Sequence, residues 1–115
     1  MNEPRIIIDK EEAIQLVGGS SFKGHLNNIT YQELISILGE PVMDLSKWPR
    51  TLGTDTFFEW VVEFDGQVYS IYDWNTFDLN YSKRYLRHWN IGSKDYPTKE
   101  FYEWFEMRLK ELRID

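Results

Sequence analysis

Glu59 and Glu63 are the residues of this 115-residue chain that come closest to a catalytic carboxylate pair. Both lie in a segment rich in β-branched and aromatic residues, where a strand is expected. Four residues along a strand separate two side chains by about 13 Å, because each residue adds about 3.3 Å. That distance exceeds the separation used by two-carboxylate glycoside hydrolases. We therefore interpret Glu59 and Glu63 as charges on a strand surface that faces solvent or a partner.

The histidines and hydroxyl residues show no recognisable catalytic or metal-binding pattern. His25 and His88 are the only histidines, and neither has a carboxylate or a second histidine at a metal-ligand spacing. The chain has no cysteine and therefore no thiol nucleophile. Ser20-Ser21 before Lys23-Gly24 lacks the spacing of a phosphate-binding loop. The sequence thus predicts no metal, no cofactor and no catalytic residue, although an enzyme of unknown reaction stays open as an alternative.

A basic and aromatic segment is the one candidate for binding a small molecule. Tyr81, Tyr85 and Trp89 recur every four residues, with basic residues between them. Stacked rings and guanidinium groups could hold a base and its phosphate. The same spacing also fits rings that cover a sheet edge, which is the commoner use of aromatic side chains. The candidate ligand-binding residues are Arg84, Tyr85, Arg87, His88 and Trp89.

The segment before it is acidic and reads as a β-hairpin. Every charged residue between Asp55 and Asp78 is negative, and the net charge of the chain is -6, which argues against direct binding to nucleic acid. Asp65-Gly66 is a strong signal for a type I′ turn, because glycine adopts positive φ without steric cost. We predict antiparallel strands over Phe57–Phe64 and Gln67–Trp74. In that register one side carries Trp60, Val62, Phe64 and Ile71 toward a core, and the other side carries Glu59, Glu63 and Ser70.

The remaining segments predict short helices and strands around this hairpin. Thr30 and Glu33 form a capping box before a helix that ends at Gly39 and Pro41. A shorter helix is expected from Asp9, after a short strand at Ile6–Ile8, and a loop at Gly18–Ser21 follows that helix. A third strand is expected at Trp89–Gly92, and a last helix capped by Thr98 or Asp95. We predict one α+β domain over residues 1–115: a small antiparallel sheet built on a central β-hairpin, with helices packed on one face.

Composition supports a folded protein outside the membrane. Hydrophobic residues make up 42% of the chain and aromatic residues 17%, which argues for a core built around large rings. No apolar run reaches the roughly 20 residues of a membrane span. The first residues lack the apolar stretch and cleavage site of a signal peptide. A cytoplasmic location is therefore expected.

Several short motifs follow one another between about residues 20 and 93. They are Ser20-Ser21-Phe22-Lys23-Gly24, Thr30-Tyr31 to Leu34, Gly39-Glu40-Pro41, Glu59-Trp60, Phe64, Asp65-Gly66, Val68, Ile71-Tyr72-Asp73-Trp74 and Trp89-Asn90-Ile91-Gly92. Together they resemble a family of small, mostly uncharacterised viral and bacteriophage proteins. The chain departs from that family at Asn90, where the family usually has His, and at Ser93, where it usually has a second Gly. The resemblance implies a viral origin and a location in the host cytoplasm.

With that origin, the leading hypothesis is a non-enzymatic phage accessory protein. It would bind and inhibit a host protein, such as a nucleic-acid-binding defence effector, in the manner of an anti-CRISPR inhibitor. The alternative is a small-molecule sponge that sequesters a nucleotide signal. An inhibitor needs an exposed acidic and aromatic patch, a sponge needs a concave pocket, and an enzyme needs two polar groups within hydrogen-bond reach in a cleft. The predicted partner-binding residues are Phe57, Glu59, Glu63, Asp65, Asp73, Trp74 and Asp78.

Overall fold

The computed structural model describes residues 3–44, 58–73 and 87–114. Within these ranges an antiparallel sheet has the strand order β1-β4-β5-β6-β2, and β3 pairs with the other end of β4. This architecture confirms the predicted fold class, a small α+β protein with an antiparallel sheet. The elements are β1 (Arg5–Ile7), α1 (Lys10–Leu16), β2 (Ser21–Ile29), α2 (Tyr31–Leu38), β3 (Met43–Asp44), β4 (Phe58–Phe64), β5 (Gln67–Tyr72), β6 (Arg87–Ser93) and α3 (Lys99–Leu112).

The central hairpin forms in the predicted register. Trp60 lies opposite Ile71, and Phe64 lies opposite Gln67 at the turn. Asp65 and Gly66 have φ angles of 51° and 81°, as a type I′ turn requires. The strands span Phe58–Phe64 and Gln67–Tyr72, and the predicted end residues 57 and 74 lie outside the described residues.

The main core lies on the face of the sheet that carries Trp60. The Trp60 and Trp89 rings pack edge to face with centroids 5.5 Å apart. Each indole N–H donates a 2.8 Å hydrogen bond to a backbone carbonyl, Trp60 to Gly39 and Trp89 to Ile29. These bonds satisfy the polar end of each buried indole. We call this side of the sheet the core face and the opposite side the outer face.

Two helices cover the core face, and both begin as predicted. At α2, the Thr30 side chain accepts from the Glu33 amide while Glu33 accepts from the Thr30 amide, which confirms the capping box. At α3, Thr98 is the N-cap, and Phe101 stacks on Tyr69 with ring centroids 3.9 Å apart. Both helices contribute apolar side chains to the same buried cluster as Trp60.

The short helix α1 lies on the outer face, at the edge formed by β1. Asp9 caps it by accepting from the Glu12 amide. Ala13 packs there against Ile7 and Val61 in a second, smaller cluster. The outer face of β4 is therefore apolar at Val61, between the acidic side chains of Glu59 and Glu63.

The second strand, β2, was not predicted; the only expectation for this region was a loop at Gly18–Ser21. It pairs with β6, with Leu26 opposite Trp89, and two irregularities interrupt the register. Gly24 and Asn28 are poor strand formers, and Asn28 has a positive φ of 59°. The pairing with β6 therefore stabilises a segment whose own sequence does not favour a strand. The predicted third strand at Trp89–Gly92 is confirmed and extends over Arg87–Ser93.

None of the helices in the described ranges has both the length and the apolar character needed to cross a membrane.

Candidate binding site on the outer face

Four side chains from four neighbouring strands form one row across the outer face. Glu59 of β4 lies opposite Tyr72 of β5, Tyr72 opposite Asn90 of β6, and Asn90 opposite His25 of β2. Residues paired in this way share a face of the sheet, and their neighbours along each strand point to the other. Since Trp60 and Ile71 belong to the core face, these four residues belong to the outer face. We call Glu59, Tyr72, Asn90 and His25 the polar row.

Gly92 leaves space beside the polar row for the side chain of Ser70. It lies opposite Ser70, in the strand position next to the polar row on the outer face. A Cβ atom at position 92 would lie 2.6 Å from the Ser70 hydroxyl and 3.5 Å from Cε1 of Tyr72. The glycine of the Trp-Asn-Ile-Gly segment therefore permits the close approach of Ser70, whereas the distance to the Tyr72 ring is an ordinary contact.

Tyr72 and Asn90 are linked by a side-chain hydrogen bond. Burial, and then the negative charge of Glu59, raise the pKa of the Tyr72 hydroxyl, while the hydrogen bond with Asn90 acts in the opposite direction. At neutral pH this hydroxyl is protonated. The centre of the row thus offers a phenol and an amide held in a fixed relative position.

Glu59 is partly buried, and within the described residues it has no hydrogen-bond or ion-pair partner. Burial alone raises the pKa of its carboxyl above the usual range. Three other glutamates pair with an arginine: Glu33 with Arg113 at 2.6 Å, and Glu12 and Glu63 with Arg5 at 3.2 and 3.4 Å. A desolvated carboxylate without a partner destabilises the folded state, and such groups are concentrated at binding and catalytic sites.

The other end of the row opens into a cleft. A volume of about 420 Å³ is lined by Phe22, His25, Tyr72 and Asn90. Phe22 is 52% exposed, and its ring packs against His25 with centroids 4.9 Å apart. The size falls within the usual range for small-ligand sites, and the lining combines three rings with hydrogen-bonding groups.

The predicted acidic surface is only partly present. Glu59 belongs to the polar row, and Glu63 is paired with Arg5. Asp65 is exposed in the turn, and it lines with Glu63 a second cleft of about 500 Å³ that also includes Gln67 and Lys94.

For Asp73 the prediction of a surface contact is wrong. Asp73 is 0% exposed, and its Oδ1 accepts a 2.9 Å hydrogen bond from the backbone N–H of Phe58. This carboxylate satisfies the backbone at the open end of the hairpin and is not available to a partner. The other three predicted contact residues, Phe57, Trp74 and Asp78, lie outside the described residues.

The predicted ligand-binding segment does not form one surface. Trp89 is 0% exposed in the core, so its assignment to a ligand site is wrong. His88 precedes it in β6 and is exposed, on the outer face. The alternation of a strand separates these two neighbours, whereas a spacing of four residues suggested a common side. Arg87 begins β6, and Arg84 and Tyr85 lie outside the described residues.

Sequence reasoning missed most of the site. The pairing of Glu59 with Tyr72 follows from the predicted hairpin register, but Tyr72 drew no attention as a binding residue. Asn90 and His25 join the row through the β5–β6 and β2–β6 pairings, which no local pattern indicates. The same pairings bring His25 to within 6.0 Å of His88, measured between ring centroids.

The contact between Lys23 and Ser21 does not create an activated nucleophile. Lys23 donates a 2.5 Å hydrogen bond to the Ser21 hydroxyl at the surface. An ammonium group is a donor without an acceptor site, so this contact does not activate the serine. The described part of the chain holds no group of three or more metal-ligating side chains.

Comparisons with protein-family models, with curated proteins and with solved structures find no match to this chain.

Proposed function

We propose that this chain is a non-enzymatic binding protein that uses its outer face to occupy a host protein, as a phage accessory inhibitor would. The observation that supports this proposal is the partly buried Glu59 on β4, which has no hydrogen-bond or ion-pair partner among the described residues. The proposal moves the binding surface from the acidic hairpin as a whole to the polar row. Only Glu59 is common to both surfaces.

A basic side chain of the partner fits Glu59. An arginine or lysine would give the carboxylate a charge-assisted hydrogen bond that the described residues do not supply. Folding has already removed water from the Glu59 carboxylate, so a partner that binds there adds little further desolvation cost. The net charge of -6 favours approach to a basic surface, such as one that normally holds nucleic acid.

Two rings, Tyr72 beside Glu59 and Phe22 at the other end of the polar row, supply the contact area of the proposed interface. Tyr72 and Phe22 are of the residue types that are enriched in interfaces. Tyrosine in particular often contributes a large share of binding energy. These rings stand on paired strands, which hold them in place before the partner arrives.

The proposal is tested by capture from bacterial lysate with quantitative mass spectrometry. The baits are the full chain, Glu59→Gln, and Glu111→Gln as a charge-matched control on an exposed position of α3. We expect a host protein that the wild type and Glu111→Gln retain equally and that Glu59→Gln retains at least about tenfold less, because a charge-assisted contact is lost. Equal recovery with all three baits would contradict the proposal.

A second candidate function is the sequestration of a nucleotide signal, and the cleft of about 420 Å³ favours it. A base could stack against the exposed Phe22 and His25 rings, while Asn90 and Tyr72 read its edge. Mass spectrometry of small molecules released from the denatured protein tests this function. Recovery of a nucleotide from the wild type, with loss in Phe22→Ala, would support the sponge in place of the inhibitor.

A further inference from the structure

We propose that His25 and His88 form a two-histidine site for a divalent transition metal on the outer face. The two residues are far apart in the sequence, but β2 and β6 are neighbours in the sheet. His25 lies opposite Asn90, so His88 occupies the diagonal position on the same face. This inference does not depend on the proposed function.

The separation of the rings fits a shared metal ion. Their centroids are 6.0 Å apart, and the ring planes are inclined by 57°. Two imidazole nitrogens bound to one zinc ion at 2.0–2.1 Å lie about 3.4 Å apart in tetrahedral geometry, which places the ring centroids about 5–6 Å apart. Small rotations of the two side chains are therefore enough to bring one nitrogen of each ring to a common ion.

The surroundings of the pair favour metal binding. Both histidines are exposed, so an ion has direct access from solvent. The edge-to-face contact with Phe22 restricts the His25 ring, and the paired strands fix the two backbones. A site built on strands holds its ligands more precisely than a site on loops.

Two protein ligands leave coordination positions open. Structural zinc sites use four protein ligands and catalytic ones three, and the described residues supply no third His, Cys, Asp or Glu here. Water, or a donor atom from a binding partner, would complete the shell. We therefore expect an exchangeable site that prefers imidazole-binding metals and follows the affinity order Cu²⁺ above Ni²⁺ and Zn²⁺.

The test is a calorimetric and NMR titration of the untagged full chain with Zn²⁺ and, separately, Ni²⁺. The variants are His25→Gln and His88→Gln, both at exposed positions, with circular dichroism to verify their fold. We expect one ion per chain and a loss of affinity of at least about tenfold in each variant. Glu111→Gln, an exposed position of α3, should bind the metal as the wild type does.

Two results would overturn the metal site. One is wild-type affinity that persists in both single histidine variants, which would assign the ion to surface carboxylates. The other is a titration in which the His25 and His88 ring resonances of the wild type do not shift with either metal.

Discussion

At the scale of single residues, Glu59 differs from Glu33 and Glu63 in having no hydrogen-bond or ion-pair partner among the described residues. Arg113 binds Glu33 and Arg5 binds Glu63, and both arginines come from segments distant in the sequence. No pattern in the sequence separates these paired carboxylates from the unpaired one. The distinction depends on which side chains the fold brings within reach. The sequence therefore identifies Glu59 and Glu63 as acidic strand residues but does not indicate which of the two is paired with an arginine.

Replacing Glu59 with Gln should stabilise the protein at neutral pH. The folded state raises the pKa of this carboxyl, so the folded chain binds the proton more strongly than the unfolded chain does. Stability of the wild type then falls as the pH rises above the ordinary glutamate pKa of about 4.3. We expect Glu59→Gln to raise the free energy of unfolding by about 1 kcal/mol at pH 7, with no gain at pH 4 and below.

Chemical denaturation at pH 7 and pH 4 measures this difference. Glu63→Gln is the matched control, since Glu63 has the same side chain on the same strand but is paired with Arg5. That exposed pair is worth at most about 1 kcal/mol, so the control should be neutral or slightly less stable. A loss of stability at pH 7 in Glu59→Gln would show that the carboxylate makes a stabilising contact.

At the scale of elements, the sequence predicted those whose signals are local. The Asp65-Gly66 turn and the Thr30 capping box both appear where they were expected. The strand β2 was missed because its glycine and asparagines disfavour a strand, and its pairing with β6 stabilises it instead. The position of α1 on the outer face was not predicted. Its contact there is Val61, which lies between the apolar residues Trp60 and Val62, so this part of β4 shows no alternation of polar and apolar residues.

Truncating Trp60 tests the hairpin register and the core together. Trp60 is 1% exposed, packs against Trp89 and donates to the Gly39 carbonyl. We expect Trp60→Ala to cost about 3–5 kcal/mol, enough to unfold a marginal domain. Trp60→Phe, which keeps a ring but loses the indole N–H, should cost less. Thermal denaturation measures both, and an unchanged midpoint in Trp60→Ala would refute the assignment.

The cap of α2 has a smaller and separable effect. Thr30 accepts from the Glu33 amide, and an alanine there would leave that amide without its partner. We expect Thr30→Ala to lower the free energy of unfolding by about 1 kcal/mol. Thr30→Ser keeps the hydroxyl and should stay close to the wild type in denaturant titration. Equal losses in both variants would indicate that the methyl group, and not the cap, is responsible.

At the scale of the whole molecule, the two faces of the sheet differ in the helices that cover them. Helices α2 and α3 cover the core face, while α1 covers only the β1 edge of the outer face among the described elements. The polar row therefore draws one residue from each of four strands whose pairing the chain achieves only on folding. A site assembled in this way leaves no compact motif in the sequence, which explains why only its first member, Glu59, was predicted.

The net charge of -6 gives the proposed interaction a defined salt dependence. Complementary charge mainly accelerates association, and added salt screens it. We expect the association rate with a captured basic host protein to fall as the salt concentration rises from 50 to about 500 mM, with a smaller effect on dissociation. Surface plasmon resonance measures both rates. An association rate that does not change with salt would contradict an electrostatic role for the acidic chain.

The polar row is tested most directly by mapping the bound surface at single amides. The measurement is the ¹H–¹⁵N spectrum of the labelled chain with and without the captured host protein. We predict the largest changes at Tyr72, Asn90 and His25, together with Glu59. Unchanged amides in the polar row, with the changes confined to the turn at Asp65-Gly66 or to α3, would contradict the assignment of the outer face as the binding surface.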